Sequence, residues 1–282
     1  MAPIAQRLGV YAGFIKLEHT FFSLPVIVAG AVIGAGGWPS ARLLLLIVLA
    51  AAGARTMAMG LNRLIDAGID ARNPRTQQRE LPRRAMRRGE AWAITLAAGA
   101  VYLASAAAIG PVCLEWSWLP AVLFVAYPYL KRFTSFAHLG LGLAWSMGPV
   151  AGWLGATQSL SRFDEIVWLG LFSLWWVAGF DVIYATMDER FDREAGLHSL
   201  PATVGKRVAL LIAAGMHATA FACLAILFVQ RAQTAEAAAW LFAVGGLFIW
   251  QHAVAARNPA FAFFQLNSVM GFLVLALVHG GL

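Results

Sequence analysis

The chain has 282 residues, 60% of them hydrophobic and only 12% charged, where an ordinary soluble domain carries roughly 25% charged residues. The formal net charge of +7 does not mark a nucleic-acid binder, because the Lys and Arg residues lie in the connections between apolar segments, where membrane proteins keep their cytoplasmic charge. Composition thus excludes a soluble enzyme and a nucleic-acid partner, and makes the lipid bilayer the solvent for most of the chain.

Uncharged apolar runs recur along the sequence, for example over 43–54, 93–109 and 266–278. A helix needs about 20 mostly apolar residues to cross the hydrocarbon. On that basis nine transmembrane helices are expected, near 20–37, 41–61, 91–109, 116–130, 136–157, 165–187, 207–229, 236–255 and 262–280. The fourth is short. The runs are long and do not alternate, so the expected fold is an all-α integral membrane bundle and not a barrel. Stretches rich in Gly and Ala, such as 29–37, permit close helix packing. No domain boundary interrupts the pattern, and 1–282 reads as a single membrane-embedded domain.

The basic residues fall unevenly about these spans. Arg7 and Lys16 precede the first, eight arginines lie between Arg63 and Arg88, Lys131 and Arg132 follow the fourth, and Arg190, Arg193, Lys206, Arg207 and Arg257 lie on the same side. Only Arg42, Arg162 and Arg231 lie opposite, with Arg55 inside the second span. By the positive-inside rule the N-terminus and the two long polar connections, 63–90 and 188–206, face the cytoplasm, as expected of a cytoplasmic-membrane protein. Lys16, Glu18 and His19 are expected at the cytoplasmic edge of the first span. Cys113 and Cys223 have no metal-ligand or redox spacing, and four histidines (His138, His217, His252 and His279) are expected to serve helix packing.

Two acidic motifs end spans on that cytoplasmic side. Asn62, Asp66 and Asp70 are spaced i, i+4, i+8 and stack along one helical face. In the second motif, Asp181, Tyr184, Asp188 and Asp192, the three aspartates fall within roughly 40° of one another on a helix and share a face. Stacked carboxylates repel one another unless a cation sits among them. Hard oxygen donors suit Mg²⁺, which takes one or two carboxylates, waters and substrate phosphates. Two such helix ends would hold metal ions bridged by a diphosphate, with Arg72 and with Lys131 or Arg132 within reach of phosphate oxygens. Arg55 lies seven residues before Asn62 on the same face, where it would bind the carboxylate of an aromatic acid or pair with an acidic neighbour.

These residues resemble the UbiA family of intramembrane aromatic prenyltransferases over almost the whole chain. The resemblance rests on both acidic motifs, on Asn73-Pro-Arg-Thr through Arg79-Glu-Leu-Pro82, on Tyr127-Pro-Tyr-Leu-Lys131-Arg and on His198-Ser-Leu-Pro201. It implies a nine-helix bundle around a central cavity capped by the polar loops. It further implies Mg²⁺ bound by Asn62, Asp66, Asp70, Asp188 and Asp192, with Arg72, Tyr127 and Lys131 holding the diphosphate. Asp181 and Tyr184 would bound the aromatic acceptor, and Asp66, Asp188 and Asp181 would serve catalysis. One position departs from the pattern: many members carry Asp directly after the motif asparagine, and this chain has Arg63. The implied reaction transfers a prenyl group from a prenyl diphosphate to 4-hydroxybenzoate, a dihydroxynaphthoate or another phenol, in quinone biosynthesis. A transporter or channel is the rival class, but its acids would sit near the midplane between inverted repeats, and neither is visible. A non-catalytic scaffold would require the acidic motifs to be dispensable.

Overall fold

A computed structural model describes residues 4–16 and 20–282, and among these every regular element is a helix. Glu18 and His19 lie outside the described residues. The helices are α1 (Ile4–Ile15), α2 (Thr20–Ala35), α3 (Ala41–Asp70), α4 (Arg88–Ile109), α5 (Pro111–Trp116), α6 (Trp118–Leu130) and α7 (Ala137–Thr157). They continue with α8 (Asp164–Ala185), α9 (Glu189–Glu194), α10 (Leu200–Val204), α11 (Lys206–Arg231), α12 (Ala235–Ala255) and α13 (Pro259–Gly280). Each expected span has a helix at its place. Six of them, α3, α4, α8, α11, α12 and α13, are long and apolar enough to cross a membrane. The other three depart from the simple criterion for separate reasons: α2 has 16 residues, α6 has 13, and α7 is diluted by five glycines along its 21 residues.

Those glycines bring backbones together. A Cβ on Gly152 would lie 2.1 Å from the Ile27 carbonyl oxygen, and one on Gly30 would lie 2.0 Å from that of Pro149, so α2 and α7 touch through main chain. Gly142 approaches α8 in the same way, its missing Cβ only 2.4 Å from the Leu174 oxygen. Without a hydrophobic force between helices in lipid, such small-residue contacts carry much of the association. Gly152→Leu is therefore expected to lower the melting temperature in detergent, by an overpacking cost of about 1–3 kcal/mol or more. Gly68→Ala, which meets open space, should leave it unchanged.

Helix α8 is the axis of the bundle. It packs against α2, α7, α11 and α13, and it is buried nearly all round, with Trp176, Phe172, Leu169 and Ile183 at 1% exposure or less, as expected of a helix apolar on every face. Several polar groups at this depth are paired across helices, as lipid favours. Trp176 Nε1 donates to Asn267 Oδ1 at 2.8 Å, and Gln251 Nε2 donates to the Ala262 oxygen at 2.9 Å. His217 sits 2.9 Å from His252, so two histidines expected to pack separately join α11 to α12. The outer faces are the reverse of a soluble protein's: Phe242 is 79% and Ile249 75% exposed on α12, which suits contact with acyl chains.

Helix α3 has 30 residues and is therefore about 45 Å long, well beyond the roughly 30 Å hydrocarbon core. It begins at an N-cap in which Ser40 Oγ accepts from the Leu43 amide at 3.3 Å, and its last turns extend to the first acidic motif. Helix α8, by contrast, stops at Ala185.

Candidate active site

The end of α8 corrects one sequence expectation. The second motif is not one continuous helical face, because residues 186–188 form a turn and Asp188 becomes the N-cap position of the separate six-residue α9. Asp181 and Tyr184 stay on α8, whereas Asp188 and Asp192 are carried by the turn and by α9, which ends before Gly196 at φ 67°. The break lets the second half of the motif turn over the mouth of a cavity.

That cavity, about 970 Å³, is lined by Asn62, Asp66 and Asp70 from α3, by Asp181, Asp188 and Asp192 from the second motif, and by Arg55, Tyr127, Lys131 and Tyr184. All of the expected site residues except Arg72 thus share one chamber. Arg72, expected to reach phosphate oxygens, is exposed and lines a separate depression with Arg132 and Leu197, away from the chamber. The reason is local: the chain leaves α3 through a turn at Ala71, pointing Arg72 away and swinging the following residues inward.

The α3–α4 connection supplies the cations instead. Arg79 donates to both oxygens of Asp70 at 2.8 Å. Arg75 Nε lies 2.8 Å from Asp188 Oδ1, its Nη2 also meets Asp188, and its guanidinium stacks over the Tyr184 ring at 4.6 Å. Asn73 adds a bond to Asp188 Oδ1 at 2.8 Å, and Thr76 Oγ1 bonds the Asp70 carbonyl oxygen at 3.1 Å. This one connection therefore ties both motifs together. Asn73, Arg75 and Arg79 belong to the stretch that carried the family resemblance, but their spacing alone assigns them no partner.

Lys131, at the end of α6, completes the set by donating to Asp66 Oδ2 at 2.6 Å, and Arg132 bonds the neighbouring Ile65 oxygen at 3.0 Å. Asp66 and Asp70 are 2% and 5% exposed, so their charges require these partners. Burial pushes the Asp192 carboxyl upward, opposed by a bond from Ser199 and reinforced by the Asp188 charge. At Arg75 burial works against the charge, and Asp188 and Tyr184 more than offset it, so the pKa is raised.

Arg63 is only 4% exposed and faces Glu80 at 3.6 Å, which ties α3 to the loop. Arg55 lies deeper, its guanidinium 5.3 Å from the Trp145 ring. Beyond it the wall turns apolar and aromatic, with Trp145, Trp176 and Phe180 meeting edge to face. His138, expected only to pack, lies 2.6 Å from Asp181 on the cavity wall.

A bundle of membrane-length helices enclosing an acid-and-arginine chamber over an aromatic cavity is the architecture of an intramembrane enzyme. Residues 23–278 match the model of the UbiA prenyltransferase family, and the chain belongs to that family. It superposes on a UbiA homolog from Aeropyrum pernix with a TM-score of 0.83 and 32% identity, over 93% of this chain and 97% of that one. It shares the fold of a UbiA homolog from Archaeoglobus fulgidus that was solved bound to GPP and Mg²⁺, with a TM-score of 0.76 and 19% identity over 95% of this chain and 98% of that one. In sequence it is 26% identical to a 4-hydroxybenzoate octaprenyltransferase of Vibrio campbellii, over 96% of both chains.

Proposed function

We propose that the chain, as a single embedded domain, transfers a polyprenyl group from a prenyl diphosphate to a ring carbon of 4-hydroxybenzoate, with Mg²⁺, in quinone biosynthesis. The observation that carries this reading is the convergence of Asp66, Asp70, Asp188 and Asp192, from two separate segments, with Arg75, Arg79 and Lys131 on one chamber that also has an aromatic wall of Trp145, Trp176 and Phe180. A 4-hydroxybenzoate octaprenyltransferase aligned along nearly its whole length supports the choice of acceptor. The Lys and Arg distribution, together with helices at all nine expected spans, supports nine crossings with the chamber mouth at the cytoplasmic face.

The residues fit the implied ion. Their donors are the carboxylate and amide oxygens of two motifs that line one chamber. That arrangement suits Mg²⁺, which completes its shell with water and substrate phosphate. Asn62, Asp66, Asp70, Asp188 and Asp192 would hold it, and when bound it neutralises charge on the departing diphosphate.

The protein's own side chains do the rest. Arg75 and Arg79 turn their forks, and Lys131 its point charge, from the carboxylates to phosphate oxygens as the C–O bond lengthens. Tyr127, on the chamber wall, contributes to holding the diphosphate. Arg55 binds the acceptor carboxylate, orienting the electron-rich ring toward the allylic carbon. Trp145, Trp176 and Phe180 keep water from the allylic cation, which water would convert to an alcohol, and turn π density toward it. Asp181 and Tyr184 border the acceptor ring.

The test is direct. Purified protein with Mg²⁺, geranyl diphosphate and a panel of phenolic acids is expected to yield a product heavier by one geranyl group from 4-hydroxybenzoate. A dihydroxynaphthoate as the sole acceptor would move the assignment within the family. Absence of magnesium-dependent diphosphate release with every acid would overturn it.

A further inference from the structure

The chamber also holds an ionisable pair, His138 and Asp181, whose histidine the scheme above does not use. His138, on α7, is 4% exposed, and its Nδ1 lies 2.6 Å from Oδ2 of Asp181 on α8. Its other ring nitrogen, Nε2, accepts from the Leu200 amide at 3.3 Å. A nitrogen that accepts a backbone N–H has no proton of its own, so in the neutral ring the proton is on Nδ1 and is donated to Asp181. The tautomer is thus set by the backbone of α10 and not by the acid it serves. Asp181 itself keeps 24% side-chain exposure, on the wall of the cavity. One carboxylate oxygen is tethered to a buried, oriented donor and the group remains open to the chamber.

We infer that His138 is a positioning residue: it holds Asp181 in the orientation that accepts the ring proton. This rests on the aromatic prenyl transfer proposed above. In that reaction the ring π electrons form the new bond to the allylic carbon, and the C–O bond breaks with its pair leaving on diphosphate. The sp³ ring carbon then loses its proton, and the C–H pair restores the aromatic ring. The proton needs a carboxylate at the acceptor ring. Asp66, Asp70, Asp188 and Asp192 are committed to the diphosphate end, where in the proposed complex they would hold the ion. Asp181 is held instead by the Nδ1 side of a ring whose other nitrogen is taken by the backbone, and it stays open to the chamber.

The segment that sets the tautomer also reaches the other motif. The His198 amide donates to the Lys131 carbonyl oxygen at 2.7 Å, and Lys131 is the partner of Asp66. Residues 198–200 therefore brace a residue at each half of the chamber.

The experiment separates the two nitrogens. An Asn side chain places its N–H near Nδ1 and retains the bond to Asp181, whereas Gln reaches toward Nε2 and the Leu200 amide. With geranyl diphosphate and whichever phenolic acid the wild type prenylates, His138→Gln and His138→Leu are expected to lose about 10- to 100-fold in kcat. KM for geranyl diphosphate should stay within about twofold, since the diphosphate end is untouched. His138→Asn should recover to within roughly threefold of wild type. In an Asp181→Asn background, His138→Gln should add no further loss, because both act through one group. Wild-type turnover itself tests the reaction, so its failure is distinct from failure here. Unchanged kcat in His138→Gln, a loss confined to KM for the diphosphate, or additive losses in the double variant would each overturn the assignment. Should the Asn variant melt early, the double variant decides.

Discussion

Asp66→Asn is expected to lower kcat by about 10³-fold or more, a barrier increase of at least ~4 kcal/mol, in a protein that still folds. Asp66 is nearly isosteric with Asn, so the chamber keeps its shape. Its 2% exposure means that the charge is held almost wholly by Lys131, Arg132 and, in the proposed complex, the metal. Removing the negative charge leaves Lys131 beside a neutral amide and takes one oxygen anion from the ion's shell. Because Lys131 remains 30% exposed, solvent limits the folding penalty, and the melting temperature should fall only modestly. Single-turnover assays over a Mg²⁺ titration check the result. Turnover within tenfold of wild type at ordinary Mg²⁺ would remove the first motif from the chemistry.

Asp188→Ala is expected to cost about 10²- to 10³-fold in kcat and to raise the Mg²⁺ needed for half-maximal rate. Its consequences differ because Asp188 is also where the α3–α4 connection docks: Asn73 and Arg75 both bind it. The variant loses a candidate metal ligand and frees the Arg75 guanidinium from its bidentate partner, leaving Tyr184 beneath it. Arg75→Met provides the comparison. It keeps the carboxylate and should lower kcat less, with little change in the Mg²⁺ requirement. The ion pair joins a 30% exposed arginine to a turn, so neither change should alter stability by more than about 1 kcal/mol. Equal losses and equal Mg²⁺ profiles in both variants would mean that Asp188 only anchors the loop.

What could be read from the chain alone follows from local rules. Apolar run length placed every long helix, because a lipid-crossing segment must satisfy its own backbone. The i, i+4, i+8 spacing aligned Asn62, Asp66 and Asp70, because α3 continues unbroken to Asp70. The corresponding inference for Asp181, Asp188 and Asp192 failed: nothing in the intervening residues, neither Gly nor Pro, announces that α8 ends at Ala185. The partners of the acids were equally hidden. Arg72 is nearer in sequence to Asp70 than Arg79 is, yet the turn after α3 sends Arg72 outward and brings Arg79 to both Asp70 oxygens. His138 and Asp181 are 43 residues apart and meet only because glycines let α7 and α8 touch. Sequence by itself determined the membrane solvent, the helices and the chemical type of the site, since these depend on residue identity and short-range periodicity. Tertiary structure decided which cation faces which carboxylate, and which histidine joins them, since pairing depends on turns and helix contacts that no local pattern encodes.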